Sequence, residues 1–296
     1  MSMTFSDMID ETQNHLRSFV RDQELTTWLK FQITNNALEA TVDDASVVSR
    51  GRIEIGSELL IVDSVDTTLN KVFFPPFGRG SDGTVAATHP ANSKVTVQPL
   101  YPRKMVADTL NQVIRAVGDS LFGIEVVTLT AHPTRVSYEL PATTERVLSV
   151  QYRYDTVSKD VVYARDWSFD QQSDWTSGKG LLLYDVPKPG DPIRVTVAVH
   201  PEALTEGDDF SDSKLPDSAW DVITLGAVAR MMATAGSYLT ATRSVGAQTT
   251  LAAQMDPQTP MQMSRYFYAQ HQERLQQEIN KLLGKYASRA HYQRWR

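Results

Sequence analysis

Residues 58–100 read ELLIVDSVDTTLNKVFFPPFGRGSDGTVAATHPANSKVTVQPL. Three short apolar runs stand out, Glu58 to Val65, Lys71 to Phe74 and Lys94 to Gln98. Turn formers separate them: Asp66-Thr67-Thr68 with Asn70, Pro75-Pro76, Gly78, Gly80, Asp82-Gly83 and His89-Pro90. β-branched and aromatic runs bounded in this way predict an antiparallel sheet. Helical patterns flank the stretch, before Asp22 and after Tyr101. Strand-like segments at 28–33, 38–42 and 52–55, broken by Asn35-Asn36, Asp43-Asp44 and Gly51, extend it backwards. A compact β module over residues 25–100 is therefore expected between helices.

The helices follow from apolar spacing. Over residues 4–21, Phe5, Met8, Ile9, Thr12, Leu16, Phe19 and Val20 share one face. Thr4 is placed to cap this helix with Asp7 three positions on, and Asp10, Gln13, Asn14 and Arg17 take the polar face. Residues 102–121 open on a proline suited to the first helical position and carry a stripe of Val106, Leu110, Val113, Ile114, Val117 and Leu121. Burying such side chains contributes about 1.5–3 kcal/mol each, so this helix reads as a core element. Residues 124–200 return to strand patterns, predicting a second small sheet or sandwich rich in Tyr152, Tyr154, Tyr163, Trp167, Phe169, Trp175 and Tyr184. An acidic connection, 202–214, leads to a helix over 216–239 that is apolar on two faces and hence buried. A long loop, 240–260, and a last helix, 261–286, complete the body.

Bulk properties exclude several function classes. The chain has 296 residues, 41% hydrophobic and 22% charged, as in an ordinary folded protein. A net charge of −6 argues against gripping nucleic acid by its phosphates. There is no cysteine, hence neither a disulfide nor a thiolate nucleophile. No apolar run approaches the ~18 residues needed to span a bilayer, and the acidic start does not read as a secretory signal. A soluble protein is expected.

Candidate chemistry is thin. Gly78-x-Gly80-x-x-Gly83 formally matches a dinucleotide fingerprint, but Pro75-Pro76 precede it and a strand pattern follows. The glycines are better read as supplying positive φ in a β connection. His89, His132 and His200 each precede proline, and no histidine spacing supports zinc hydrolysis. The acidic run from Glu202 to Asp212 lacks the pattern of an EF-hand loop and reads as a solvated linker. No nucleophile elbow occurs. Asp166, Asp170 and Asp174 beside tryptophans allow a sugar site, so a carbohydrate-binding or glycan-active β protein stays as an alternative. The expectation is no enzyme, no cofactor and no metal.

The 58–97 stretch also resembles a module common in structural proteins of tailed bacteriophages. There, an E-L-x-x-V strand is followed by an R-G-x-x-G-T-x-A-A-x-H turn and a V-x-V strand. The matching residues are Glu58-Leu59, Val62, Arg79-Gly80, Gly83-Thr84, Ala86-Ala87, His89, Val95 and Val97. Pro102, Val106, Leu110 and Asn111 match a pattern seen after this module in head–tail adaptors. In order of elements the chain looks like a head-to-tail adaptor of long-tailed phages. That resemblance implies an α+β fold: a helical adaptor body with long amphipathic helices plus two small antiparallel β regions, one inserted after the N-terminal helix. The expected division is an N-terminal helix (1–24), the β module (25–100), the adaptor body (101–286) and a basic tail (287–296).

The resemblance further implies a structural virion protein at the neck, assembled in the host bacterial cytoplasm. It would form a homo-oligomeric, usually dodecameric, ring joining portal to tail-side neck protein. DNA would pass through without specific binding, and no membrane is involved. Another neck or tail-completion protein is a further alternative. The tail carries Arg289, Tyr292, Arg294, Trp295 and Arg296 with no acid among residues 287–296. Arg, Tyr and Trp are enriched at interface hot spots. Adaptors of the resembled kind clasp the portal with a C-terminal segment, so these five residues are expected to dock there.

Overall fold

A computed structural model describes residues 3–18, 24–153, 161–184, 187–244 and 258–286. The chain forms two compact units. The first comprises residues 1–6, 111–223 and 269–296, and the second residues 7–110 and 224–268.

The second unit holds the β module. A four-stranded antiparallel sheet has the order β1 (Thr26–Trp28), β7 (Lys94–Val97), β3 (Gly51–Ile55), β4 (Glu58–Val62). A three-stranded antiparallel sheet has the order β2 (Glu39–Thr41), β6 (Lys71–Phe73), β5 (Ser64–Asp66). β3 and β4 form a tight hairpin in which Ile55 pairs with Glu58 across Gly56-Ser57. Gly56 supplies the positive φ that a two-residue connection requires, at 59°. One core joins both sheets: Leu29, Ile53, Ile55, Leu60, Val72 and Val95 are among its buried members. β4 is buried at both Leu59 and Leu60, so both of its faces are covered. β7 stops where Gln98 turns to a φ of 48°.

Helix α1 (Phe5–Arg17) buries Phe5, Met8, Ile9, Thr12 and Leu16, as the apolar spacing predicts. Phe19 and Val20 lie outside the described residues. Gln13, expected on the polar face, is buried because its amide donates to the Tyr101 carbonyl at 2.7 Å. Thr4 immediately precedes the first helical residue, where the cap is expected, and its backbone also bridges Asp209 in antiparallel fashion. Helix α2 (Arg103–Val117) buries Val106, Leu110, Val113, Ile114 and Val117.

The first unit is also built on sheets. A four-stranded antiparallel sheet has the order β11 (Val161–Tyr163), β10 (Thr144–Arg153), β14 (Pro192–Val199), β8 (Gly123–Thr130). A three-stranded one has the order β12 (Trp167–Asp170), β13 (Gly180–Leu183), β9 (Ser137–Glu139). Ile193, Val195, Val197 and Val199 alternate inward from β14 onto a core shared with Leu140, Leu181 and Leu183. The end of the acidic connection folds into a short 3-10 turn, Phe210–Ser213, with Asp209 and Asp212 forming a capping box.

Helices α3 (Trp220–Ser244) and α4 (Gln258–Lys285) are longer than their apolar stripes predict and take in part of the expected loop 240–260. Within the first unit, Arg274 donates to Asp221 at 2.7 Å, and Ser218 donates to the buried Glu278 at 2.7 Å. Within the second, the Ser264 hydroxyl donates to the Ala229 carbonyl at 2.8 Å.

These findings correct the expected fold class. A helical adaptor body with two small β regions is not what forms. The described residues contain four antiparallel sheets of fourteen strands beside four helices, and each unit has a core between sheets. Turn chemistry located most of the strands, but local pattern does not show that they pair into sheets packed around a core in each unit, which is what displaces the helical body that the resemblance implies. Pairing supplies what local pattern does not: Trp167–Asp170 gains its strand character against Leu183–Gly180. No described helix is long and apolar enough to cross a membrane.

Candidate functional site

The residues that carry the sequence motif converge on one buried carboxylate. Glu58 opens β4 and is 1% exposed. Arg79 grips it with two nitrogens, Nε to Oε1 at 2.8 Å and Nη2 to Oε2 at 2.9 Å. The backbone N–H of Gly80 donates to Oε1 at 3.0 Å, and that of Ala87 to Oε2 at 2.9 Å. His89 Nε2 lies 2.8 Å from Oε2. Burial pushes the Glu58 pKa up, but these donors outweigh it and hold the group at about 2.

Local backbone chemistry makes this gathering possible. Gly80 takes φ 60°, and a Cβ there would stand 2.9 Å from the Ala86 nitrogen. Gly83 takes φ 80° in open space. A Cβ on Gly78 would meet the Pro75 ring at 2.6 Å and the Ile61 carbonyl at 2.9 Å. The glycines thus serve positive φ and close approach, and a short 3-10 turn, Ser81–Gly83, stands in place of a phosphate-binding helix. Thr84 closes the loop: its hydroxyl donates to the Ser81 carbonyl at 2.7 Å and accepts the Leu59 N–H at 3.1 Å. Arg79 also reaches the carbonyls of Thr34, Ala37 and Ala87 at 2.5, 3.2 and 2.7 Å. One guanidinium therefore ties two further segments, the turn 34–37 and the backbone at Ala87, to β4.

Of the predicted turn residues, Arg79, Gly80 and His89 meet at Glu58, while Gly83 shapes the loop without touching it. Glu58 was legible as a motif letter but not as the centre. Chemically, a carboxylate saturated by this many donors and shielded from water is a fastener, with no lone pair presented to a substrate.

A second buried carboxylate was not anticipated. Glu54 on β3 is 5% exposed and accepts the Arg103 N–H at 2.6 Å, at the start of α2. Burial drives its pKa up to about 7, against the opposing pull of Arg103.

Elsewhere, among the described aromatic residues of 152–184, Tyr152, Trp167 and Phe169 pack against the core of the first unit, and Tyr154 lies outside the described residues. The Trp175 indole donates to Ser137, and Tyr184 lies within hydrogen-bond reach of Ser168. Tyr163 and Trp167 instead line a groove of about 520 Å³ with Arg194 and Lys285, which sequence reasoning missed, and Asp166, Asp170 and Asp174 are not part of it. Among the described residues no group of three or more histidines and carboxylates could hold a metal ion. The predicted docking residues Arg289, Tyr292, Arg294, Trp295 and Arg296 lie outside the described residues. No family model matches the chain, and no curated protein matches it.

Proposed function

We propose that this chain is a structural virion protein of a long-tailed bacteriophage, a head-to-tail adaptor at the neck that joins portal to tail. One observation carries the reading. The motif letters of the resemblance, Arg79, Gly80, Ala87 and His89, all meet in space at one buried carboxylate, that of Glu58. A resemblance whose polar residues depend on one another in this way is more specific than the same letters spaced along a chain. It marks a β module built for rigidity, which suits a load-bearing joint. Neither the saturated Glu58 nor the scattered aromatics favour a catalytic or glycan site.

The role is proposed on the module and its setting, not on a helical body. The proposed assembly is a closed ring, twelve-fold in keeping with the resembled family, that contacts the portal through residues 287–296 and the tail-side neck protein by another surface. DNA passes its channel unbound, as a net charge of −6 favours. The test is co-expression with the portal protein followed by affinity capture and native mass spectrometry. Stoichiometric portal–adaptor rings support the reading, and a chain that never co-purifies with portal or virion necks removes it.

A further inference from the structure

We propose that the groove on the outer face of the β11-β10-β14-β8 sheet receives the acidic turn 202–212 of a second copy of this chain. The proposal rests on the ring reading and gives it a subunit contact.

The groove floor is dictated by register. Gln151 pairs with both Arg194 and Tyr163, and Thr196 pairs with both Ser149 and Val126. Paired residues share a face, so these side chains form two adjacent rows across the sheet, opposite the apolar core row of β14. Lys285 and Tyr286, at the end of α4, complete the lining. None of the lining residues is acidic, and two, Arg194 and Lys285, are cations. Among the described residues neither cation pairs with a carboxylate; Lys285 sits 5.4 Å from the Tyr286 ring centre. Val126 and Tyr163 are 43% and 53% exposed there, which leaves apolar surface beside positive charge. Such a floor favours an anionic partner with small, polar neighbours.

The same chain displays one. Glu202, Glu206 and Asp212 are exposed on a turn that is already rigid. Asp208 accepts from the Thr205 N–H and hydroxyl at 2.6 and 2.8 Å. Asn111 clamps Leu204 through both its amide atoms at 2.8 Å. Phe210 is buried, and its N–H donates to the Met3 carbonyl at 2.9 Å. A preorganised turn loses little entropy on docking. It cannot bend back into its own groove, because it follows the far end of β14 from Arg194 and is pinned by Met3 and Asn111. Groove and turn are different surfaces, so their contact is heterologous and repeats from copy to copy, closing a ring where the rotation allows. The basic tail is excluded as occupant by like charge. Single-stranded DNA would also suit cations beside aromatics, but the chain's net charge opposes it.

The experiment uses the full chain in sedimentation velocity at low and high salt. Three variants accompany it: Arg194→Glu with Lys285→Glu, Glu202→Lys with Glu206→Lys, and all four together. The wild type should self-associate, less so at high salt. Each double variant should associate at least about tenfold more weakly, since reversal sets like charges face to face. The two double variants mixed should associate again, alternating copy by copy, because each groove then meets a turn of opposite charge, and the fourfold swap should restore association. A wild type that stays monomeric at low salt, association indifferent to the double reversals, or a fourfold variant that folds but does not reassociate would each overturn the contact. So would oligo-dT binding that Arg194→Glu with Lys285→Glu abolishes while self-association persists. Portal capture by Glu202→Lys with Glu206→Lys reports separately on the adaptor reading, because that turn lies apart from residues 287–296 in sequence.

Discussion

Glu54 and Glu58 flank one hairpin turn, point to opposite faces of their sheet, and are driven in opposite directions by their surroundings. Glu54 pairs with Leu59 and Glu58 with Ile55, which sets the two carboxylates on alternate faces. Both are almost fully buried. Glu58 is met by a guanidinium, an imidazole and two backbone donors and falls to about 2. Glu54 is dominated by burial, has Glu24 adding repulsion, and rises to about 7 despite Arg103. The first acts as a permanent anion, the second as a proton-holding cap of α2.

The sign of the Glu58 effect follows. Its folded pKa is depressed from 4.5, so its stabilisation is present above about 4.5 and is lost as pH falls through about 2. Glu58→Gln should remove this acid-sensitive component and leave Arg79 buried against a neutral amide. Breaking a buried pair from one side costs about 3–5 kcal/mol. Urea denaturation at pH 7 and pH 3 checks this, with a larger loss expected at pH 7. An equal loss at both values would contradict the anionic role.

Glu54 runs the other way. Its folded pKa is raised from 4.5, so the folded state holds a proton that the unfolded chain has lost between about 4.5 and 7. Stability from this group is full below about 4.5 and declines as pH rises through about 7. Glu54→Gln keeps an acceptor for the Arg103 N–H and cannot ionise. It should be more stable than the wild type at pH 8 and about equal to it at pH 4, as read from thermal unfolding at both values.

The glycine loop separates conformation from contact. Gly80→Ala meets both a left-handed φ and the Ala86 nitrogen, whereas Gly83→Ala meets the φ alone. A left-handed φ costs a non-glycine residue about 1–2 kcal/mol. Gly83→Ala should stay near that figure and Gly80→Ala should exceed it, because the Gly80 N–H also serves Glu58. Equal melting temperatures for the two variants would count against the Glu58-centred loop.

Much of this was legible in the sequence because period and turn chemistry act locally. The stripe from Val106 to Val117 gave α2, and the proline and glycine breaks gave most strands. What local pattern could not give was partnership. Gln13 looks polar on a helical wheel, yet the Tyr101 carbonyl draws it inside. Glu58 looks like a strand-end charge until Arg79 and His89 arrive from 21 and 31 residues away. Arg194 and Lys285 meet only because β14 and the end of α4 frame one groove. The helical body that the resemblance implies gives way for the same reason, since local pattern does not show strands pairing into sheets around a core in each unit.

The tail carries a separable prediction. Deleting residues 287–296 removes Arg289, Tyr292, Arg294, Trp295 and Arg296 together. The melting temperature should stay unchanged while portal binding is lost. Trp295→Ala alone should weaken that binding at least about tenfold, the scale of a single hot-spot aromatic. Full binding by the truncated chain would remove the tail from the interface.

The most direct measurement is electron microscopy of the purified protein assembled with its portal. The account predicts a second ring, coaxial with the portal and of matching rotational symmetry, with an open central channel and the β modules resolved as compact lobes. Portal rings that remain bare, beside free single copies of this chain, would contradict it.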